Sequence, residues 1–385
     1  MEQIELPWLA PVAAPASLAA SAAACEHFPV ARDPQIDIAL MGHAPVYVGV
    51  SGGKDSQALA YRMQSHLDAI GHTGTRALIH SDLGRVEWRD SILVCERLAE
   101  RLGWELIVVR RAAGDMMDRW LLRWAANVGR YAALSCVKLI MPWSSAAQRF
   151  CTSELKSAVI ARAIRARHLT GTVISAVGIR REESTARART PAAKRDERLT
   201  RSCGIGLTWN PLIHWPRSDV LDYIRVRGDI LHAAYRIYGS SRVSCAFCVL
   251  ASQADLLAAT HCEDNAAIYR EIVDLEIRST FSFQSKRWLG DVAPGLLDAP
   301  MLAALAEAKE RAAQRQAAEA EIPSHLLYEA GWPVCLPTPA EARHLAFVRR
   351  RVAAAVGIAA DCMDGEAVGA RYAALIQLQA QRRQA

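Results

Sequence analysis

A short apolar segment that runs into a glycine-rich loop is the feature that most restricts the fold of this chain. Residues 46–50 (VYVGV) predict a buried strand, residues 51–56 (SGGKDS) form the loop, and residues 56–67 predict a helix. Short buried strands that alternate with helices are typical of parallel sheets covered on both faces. The loop leaves its strand at the carboxyl end, which is the edge where such sheets bind ligands.

The same alternation continues along the chain and extends the predicted sheet. Apolar segments at residues 76–80, 106–109 and 172–179 predict three further strands, and helices are expected over residues 88–102 and about 153–167. The fold class predicted from this order is α/β, with a doubly wound parallel sheet and right-handed crossovers.

The overall composition is that of an ordinary globular protein. The 385 residues are 51% apolar and 22% charged, and the net charge of +6 suits an anionic ligand without establishing nucleic-acid binding. Glu2 and Glu5 precede the first basic residue, Arg32, so neither secretory nor mitochondrial targeting is expected. Because no segment offers about 20 consecutive apolar residues, we expect a cytoplasmic protein with no membrane partner. The ten cysteines would then be reduced thiols rather than a disulfide framework.

The chemistry of the loop favours a bound phosphate chain. Adjacent glycines let the backbone approach a ligand, and the following helix directs its free N–H groups toward that ligand. Hydroxyls and one ammonium add further donors, so we expect the binding residues to be Ser51, Gly52, Gly53, Lys54, Asp55 and Ser56. The spacing is not that of a Walker A loop, whose glycines are separated. A glycine-containing turn without a ligand is the alternative.

The loop matches S-G-G-x-D-S and in this respect resembles the signature of the N-type ATP pyrophosphatases. These enzymes cleave ATP between the α- and β-phosphates and leave AMP on a substrate. The resemblance implies an adenine-nucleotide α-hydrolase-like fold and a loop that binds the β,γ-pyrophosphate of ATP together with Mg²⁺. It also implies that Lys54 and Asp55 contribute to catalysis.

A second element narrows the resemblance to the phosphoadenylyl-sulfate reductase group of that superfamily. Residues 80–84 (HSDLG) are similar to its h-x-D-T-G element, with Leu83 in place of threonine. In that group this strand end lies near the nucleotide, which implies that Asp82 holds ribose or, through water, Mg²⁺. A helix cap is the alternative role for Asp82.

Two further elements follow the pattern of the same group. Residues 149–156 (RFCTSELK) resemble R-x-C-T-x-x-L-K, and residues 178–187 (GIRREESTAR) resemble G-x-R-x-x-E-S-x-x-R. The second element follows a predicted strand, so it would lie at the ligand-binding edge and bring Gly178 to the nucleotide.

The arginines of the second element are candidates for charge neutralisation. Arg180 and Arg187 would stabilise the charge that develops on phosphate during transfer. For the remaining pair, Arg181 and Glu183, we expect a surface ion pair instead.

The chain departs from the true reductases of this group in two ways. Those enzymes carry a degraded phosphate loop and a Glu-Cys-Gly-hydrophobic-His motif with a nucleophilic cysteine. Here the loop is intact and no Glu-Cys-Gly sequence occurs. Both differences favour ATP cleavage over sulfonucleotide reduction.

Several cysteines have the spacing or position of metal ligands. Cys245 and Cys248 form a C-x-x-C pair, a spacing found in zinc and iron–sulfur sites, and Cys151 lies in the R-x-C-T element. The fourth ligand would be Cys262 or, alternatively, Cys203, and spacing does not decide between them. The pattern resembles the ATP pyrophosphatase subunit of DNA phosphorothioation systems, which implies a 4Fe–4S cluster. Zn²⁺ and no metal are the alternatives.

Four segments are predicted along the chain. They are an irregular N-terminal leader over 1–40, an ATP pyrophosphatase-like nucleotide-binding domain over 41–216, a cysteine-containing substrate or cluster subdomain over 217–295, and a helical C-terminal region over 296–385. Residues 185–210, rich in Arg, Thr and Pro, are expected to form a mobile surface segment.

Three functions remain open at this point. The chain would adenylate an acceptor, such as DNA, tRNA or a small molecule, for sulfur insertion, with help from a sulfur donor or a partner subunit. It would otherwise reduce phosphoadenylyl sulfate or adenylate sulfate. The third possibility is a nucleotide-dependent nucleic-acid-binding module with little turnover, using the Arg-rich residues 180–201.

Overall fold

The computed structural model describes residues 28–384, which form two compact units. The first unit comprises the described residues up to Ala112 together with Phe150–Cys248, and the second comprises Ala113–Arg149 and the residues from Val249 onward. These units divide the chain differently from the predicted boundaries after residues 216 and 295.

The first unit is built on one sheet. Its strands in chain order are β1 (Val46–Val50), β2 (Arg76–Asp82), β3 (Glu105–Arg110), β4 (Val173–Ala176), β5 (Ala193–Arg195) and β6 (Gly206–Trp209). They are arranged in the order β3-β2-β1-β4-β6-β5, and all pairs are parallel except the β5–β6 pair at one edge. The predicted α/β class is confirmed, with an antiparallel edge strand in addition.

The register of the sheet brings three loops to one edge. β1 is central, and Val46 lies opposite Arg76 of β2 on one side and Ile174 of β4 on the other. Parallel strands end at the same edge, so the segments that follow β1, β2 and β4 lie side by side there. This carboxyl edge carries the loop 51–56 and the residues that follow Asp82 and Ala176.

Helices cover both faces of this sheet. In chain order they are α1 (Pro34–Met41), α2 (Lys54–Ala69), α3 (Asp90–Leu102), α5 (Phe150–Thr152), α6 (Ala158–Arg167), α7 (Thr185–Ala188), α8 (Arg217–Val226) and α9 (Ala233–Arg236), while α4 (Met116–Ala132) belongs to the second unit. Alternate residues of β1 enter two separate cores. Val48 packs in the core that contains Leu59 of α2, and Tyr47 packs in the core that contains Ile164 of α6.

The second unit is helical in its described part. Its helices are α4 (Met116–Ala132), α10 (Gln253–Thr260), α11 (Ala266–Ser279), α12 (Ala299–Ala320), α13 (Pro339–Val356) and α14 (Gly365–Gln384). Trp143 packs edge-on against Trp120 and Phe283, with ring centroids 5.4 and 5.1 Å apart. The predicted helical C-terminal region is confirmed, and no helix within the described range is both long and apolar enough to cross a membrane.

Two segments are more ordered than the sequence predicted. Part of the expected leader is the helix α1, which Asp33 caps by accepting a hydrogen bond from Gln35 N at 2.9 Å, while residues 1–27 lie outside the described range. The segment 185–210, expected to be mobile, contributes α7, β5 and β6. Its last strand is fixed because Leu207 and Trp209 are buried in the sheet core.

Candidate active site

The loop after β1 requires glycine at one position. Gly52 has φ +72°, in the left-handed region that favours glycine. A Cβ atom there would lie 2.9 Å from Ser91 Cα and 3.2 Å from His232 Cδ2, closer than carbon atoms normally approach. The backbone dihedral and the close contact therefore each exclude a side chain at residue 52.

The N-terminus of α2 presents backbone donors that the described residues leave without acceptors. α2 begins at Lys54, and its N-cap residue Gly53 contributes no capping side chain. The N–H groups of Gly52, Gly53, Asp55 and Ser56 donate to no acceptor within residues 28–384. Such N–H groups, aligned with the helix dipole, form an anion-binding site.

One predicted ligand donor is used by the loop itself. The Ser56 hydroxyl accepts a hydrogen bond from Ser51 N at 3.2 Å and donates to Gly53 O at 2.8 Å. These two bonds close the loop on itself. Ser56 therefore shapes the site, and its hydroxyl hydrogen is already engaged.

Lys54 is held inside the site and is only 5% exposed. Its Nζ lies 3.4 Å from Asp55 Oδ2 and 5.2 Å from the centre of the Tyr235 ring. The aromatic face and the carboxylate both attract the ammonium group. The lysine charge is thus fixed beside the unpaired N–H groups.

Two residues from a distant part of the chain support the loop, although neither belongs to a sequence motif. The Tyr235 hydroxyl accepts hydrogen bonds from Lys54 N at 3.3 Å and from Val243 N at 3.1 Å. His232 is fully buried, and its Nδ1 accepts from Ala234 N at 2.9 Å. Burial lowers the pKa of His232, so the ring is neutral. For these two residues the sequence predicts only that they belong to the cysteine-containing subdomain 217–295.

His80 lies beneath the carboxyl edge and connects two of its segments. Its Nδ1 lies 3.1 Å from Val50 O, directly before the loop, and its Nε2 lies 3.1 Å from Glu87 Oε2. Burial alone would lower the pKa of His80, but its hydrogen bonds to Cys95 and Glu87 outweigh burial and raise it to about 10.

Asp82 lies at the predicted strand end, where protein groups engage both of its oxygens. Oδ1 accepts from Gly84 N at 2.7 Å and so starts the 3₁₀ turn Gly84–Val86. Oδ2 accepts from Arg110 Nε at 2.5 Å. Both oxygens of Asp82 are thus engaged by the protein, and its predicted role toward ribose or Mg²⁺ stays a prediction.

Arg180 is directed at the phosphate loop and is only 3% exposed. Its guanidinium donates to the carboxylates of Asp55 and Glu182. Burial opposes the charge of Arg180, but these two carboxylates raise its pKa. Gly178 permits this approach, because a Cβ there would lie 2.8 Å from Asp55 O. Arg180 therefore fixes the start of α2 from the end of β4.

The second predicted arginine lies in a more exposed ion pair. Arg187 donates to Glu183, which also accepts the Arg180 N–H at 2.9 Å. The expected pair between Arg181 and Glu183 is wrong, because Arg187 takes the place of Arg181 as the partner of that carboxylate.

Protein groups pair with much of the remaining charge in the Arg-rich stretch. Arg195 lies 3.2 Å from Glu197, Arg198 lies 3.0 Å from Asp196, and Arg201 donates to a backbone carbonyl at 2.7 Å. This pairing reduces the positive field that a nucleic-acid backbone would meet.

The cysteine segment lies at the same carboxyl edge as the loop. Cys245 forms an isolated antiparallel bridge with Glu87, and Ala246 N donates to Val86 O at 2.8 Å. Both partners lie at the end of the short 3₁₀ turn Gly84–Val86 that follows β2. The C-x-x-C pair is therefore anchored beside the end of that strand.

Three of the predicted ligands interact electrostatically there. Burial raises the pKa of the Cys245 thiol, Lys156 opposes this increase, and Cys248 and Cys151 add to it. Within residues 28–384, however, no three His, Cys, Asp or Glu side chains form a ready-made metal site.

The two candidates for the fourth ligand lie in different places. Cys203 is exposed, and its carbonyl accepts from Gly171 N at 3.1 Å, immediately before β4 and β6 begin. It therefore lies at the amino-terminal edge of the sheet, opposite the C-x-x-C pair, because parallel strands start together. The prediction of Cys203 as an alternative fourth ligand is therefore wrong, because the other predicted ligands Cys245 and Cys248 lie at the opposite edge. Cys262 is buried in the second unit, and its role stays a prediction.

Comparison of the sequence with known protein families gives a match that covers the site described above. The model of the phosphoadenosine phosphosulfate reductase domain matches residues 45–248. The chain belongs to this family. The match ends where the first unit ends, and it contains the loop, Arg180 and the C-x-x-C pair, while residues 113–149 inside it belong to the second unit. Among proteins with curated descriptions, no sequence match to the chain was found.

Several solved structures are distantly similar to this member of the family. Phosphoadenylyl-sulfate reductase from Candida auris, in a phosphate complex, is 14% identical with a TM-score of 0.36, covering 61% of this chain and 98% of its own. FMN adenylyltransferase from Candida glabrata, with FMN and AMPCPP, is 12% identical with a TM-score of 0.37, covering 58% and 72%. U34-tRNA thiolase NcsA from Methanococcus maripaludis, with its [4Fe-4S] cluster, is 15% identical with a TM-score of 0.37, covering 72% and 78%.

Proposed function

We propose that the chain is an ATP pyrophosphatase that cleaves ATP between the α- and β-phosphates and transfers AMP to an acceptor. The intact phosphate loop is the observation that carries this proposal. It combines the fixed ammonium of Lys54 with unpaired N–H groups at the start of α2. A terminal pyrophosphate has the charge and the length to use both sets of donors.

The proposed reaction asks the protein mainly for positioning and charge neutralisation. An acceptor oxygen attacks the α-phosphorus, the bond to the bridging oxygen breaks, and pyrophosphate leaves. The substrate would be the ATP–Mg²⁺ complex. Lys54 and the N–H groups would stabilise the leaving pyrophosphate.

Arg180 has a different task in this proposal from Lys54. Its guanidinium binds Asp55 and Glu182 and is buried, so it would hold the start of α2 in place. Arg187 is more exposed and pairs with Glu183. An incoming phosphate would have to break this ion pair before it could bind Arg187. Direct contact with the substrate is therefore better supported for Lys54 than for either arginine.

We propose sulfur transfer as the use of the activated acceptor, either in a nucleic acid or in a small molecule. A sulfur nucleophile would attack the adenylated position, and AMP would leave with the original acceptor oxygen. The position of the C-x-x-C pair at the same edge as the loop supports this proposal. The sulfur would come from a separate donor or partner subunit.

Thiolates are the usual protein ligands of iron–sulfur clusters, so the predicted cysteine ligands fit such a cluster chemically. Cys151, Cys245 and Cys248, all in the first unit, would supply three thiolates. When bound, a 4Fe–4S cluster would supply a site for binding sulfur or transferring electrons. Zn²⁺ is the alternative ion for the same thiolates. Iron, sulfide and zinc analysis of anaerobically purified protein distinguishes the two.

Product analysis with α-labelled ATP tests the proposal. Incubation with DNA, tRNA or sulfate as acceptor should give labelled AMP or a labelled acceptor, together with pyrophosphate. Release of labelled ADP would contradict it. The family match favours a second candidate, sulfonucleotide reduction, and sulfite release from phosphoadenylyl sulfate with a thiol reductant would establish that reaction instead.

A further inference from the structure

One phenol hydroxyl joins the phosphate loop to the cysteine segment 243–248. Tyr235 Oη accepts from Lys54 N at 3.3 Å and from Val243 N at 3.1 Å. Lys54 is the first residue of α2, and Val243 lies two residues before Cys245. The two segments are far apart in sequence, yet they share one acceptor atom.

The other side of the cysteine segment is fixed independently of Tyr235. Cys245 pairs with Glu87, and Ala246 N donates to Val86 O at 2.8 Å. The segment therefore lies between the end of β2 and the Tyr235 hydroxyl. Tyr235 provides the hydrogen-bonded connection from the first residue of α2 to the segment. His80 provides a second connection, from Val50 O to Glu87 on the opposite side of the segment.

The Tyr235 hydroxyl also retains a donor. A phenol accepts through its lone pairs and donates one hydrogen. Both hydrogen-bond partners of Tyr235 are N–H donors, and within residues 28–384 no acceptor takes its hydrogen. The oxygen is close to the loop backbone, since a Cβ on Gly53 would lie 3.5 Å from it. A phosphate at the loop would offer the missing acceptor.

We propose that Tyr235 is a positioning residue that couples nucleotide binding at the loop to the order of the cysteine segment 243–248. This inference rests on the proposed function for its choice of ligand. A bound phosphate accepts the Tyr235 hydrogen, which polarises the hydroxyl and strengthens its bonds to Lys54 N and Val243 N. The cysteine segment is then held most firmly when a nucleotide is present.

Hydrogen exchange measured by mass spectrometry tests this coupling. The ligand is α,β-methylene-ATP with Mg²⁺, in which carbon replaces the oxygen at the proposed cleavage position, so no turnover is needed. In the wild type, this analogue should slow exchange both at the loop 51–56 and, by about tenfold, in the segment 243–248. In Tyr235→Phe the loop should still be protected, and the protection of 243–248 should fall to less than about twofold.

The Phe substitution keeps the ring and removes only the hydroxyl. Tyr47→Phe is the matched control, because the Tyr47 hydroxyl bonds to His168 at 2.5 Å near the amino-terminal end of β1, away from the loop. That variant should show the wild-type response in both segments. Protection of 243–248 that persists in Tyr235→Phe would overturn the proposal, as would a wild type whose segment does not respond to the analogue.

The two proposals fail in different assays. Labelled ADP from wild-type protein would remove the pyrophosphatase proposal and leave an analogue-dependent response of 243–248 intact. Labelled AMP from a wild type with no such response would remove the coupling and leave the pyrophosphatase proposal intact.

Discussion

The phosphate loop and the cysteine segment share one edge of the sheet but differ in how completely they are assembled. In the loop, Ser56 closes the backbone, Arg180 holds Asp55, and Tyr235 holds Lys54. The C-x-x-C pair is anchored beside the end of β2, yet among the described residues no three potential ligands form a finished metal site. The proposed nucleotide site is thus organised before a ligand binds, whereas a metal would have to complete the proposed thiol site.

Removal of the loop ammonium should have the largest effect. Lys54→Ala should lower the rate of AMP formation by at least about 10²-fold, because a fixed charge on the leaving pyrophosphate is lost. The measurement is initial-rate AMP release at saturating ATP. Lys194→Ala, at an exposed position on β5, should leave the rate unchanged. Equal rates for Lys54→Ala and the wild type would remove the loop from the chemistry.

Removal of one thiol should affect metal content without disturbing the loop. Cys245→Ser should lose the bound iron, or zinc, that the wild type carries, and should still bind α,β-methylene-ATP. Cys203→Ser should keep the metal, because Cys203 lies at the opposite edge of the sheet. Metal analysis and calorimetric nucleotide titration measure the two properties. Retention of full metal content in Cys245→Ser would show that the thiol site lies elsewhere.

A pair of glycine variants separates backbone strain from close packing in the loop. Gly71 has φ +64° and open space where a methyl group would lie, whereas Gly52 has φ +72° and would place its methyl 2.9 Å from Ser91 Cα. Gly71→Ala should therefore lower the free energy of unfolding by about 1 kcal/mol, and Gly52→Ala by about 2–4 kcal/mol. Only Gly52→Ala should also lose AMP formation. Equal destabilisation in chemical denaturation would mean that the loop backbone tolerates a side chain.

The smallest expected effect is a pH dependence of the free energy of unfolding, which arises in α2, the helix that follows the loop. Burial, with Arg62 and Arg32, lowers the pKa of His66 in α2 to about 4. Between this value and the unfolded pKa of about 6.5, the unfolded chain binds more protons than the native state. The contribution of His66 to stability is present above pH 6.5 and should fall by about 1–2 kcal/mol at pH 5.

His66→Gln is the control for this pH dependence. Denaturant unfolding at pH 7 and pH 5 should show a smaller loss of stability in His66→Gln than in the wild type. Identical pH profiles for the two proteins would show that His66 does not carry the effect.

The loop was predictable from the sequence because its signals are local. Adjacent glycines, a lysine and a preceding apolar strand occupy one short segment, and the strand order that brings Asp82 and Gly178 to the same edge follows from the βα alternation. These elements needed no information from distant residues.

The supports of the loop were not predictable in the same way. Tyr235 and His232 reach it from about 180 residues further along the chain, without a motif spacing. Nor did any local pattern indicate that Cys203 precedes β6 and so lies at the opposite edge, because β6 is only four residues long and lies in a segment rich in polar residues. Residues that are close in sequence lie at opposite edges of a sheet when a strand runs between them.

A structure with α,β-methylene-ATP and Mg²⁺ bound tests the central claim most directly. We predict that the β- and γ-phosphate oxygens lie about 2.7–3.2 Å from the unpaired N–H groups at the start of α2 and from Lys54 Nζ, with the α-phosphate open to an acceptor. A nucleotide whose β- and γ-phosphates lie away from residues 51–56 would contradict this claim.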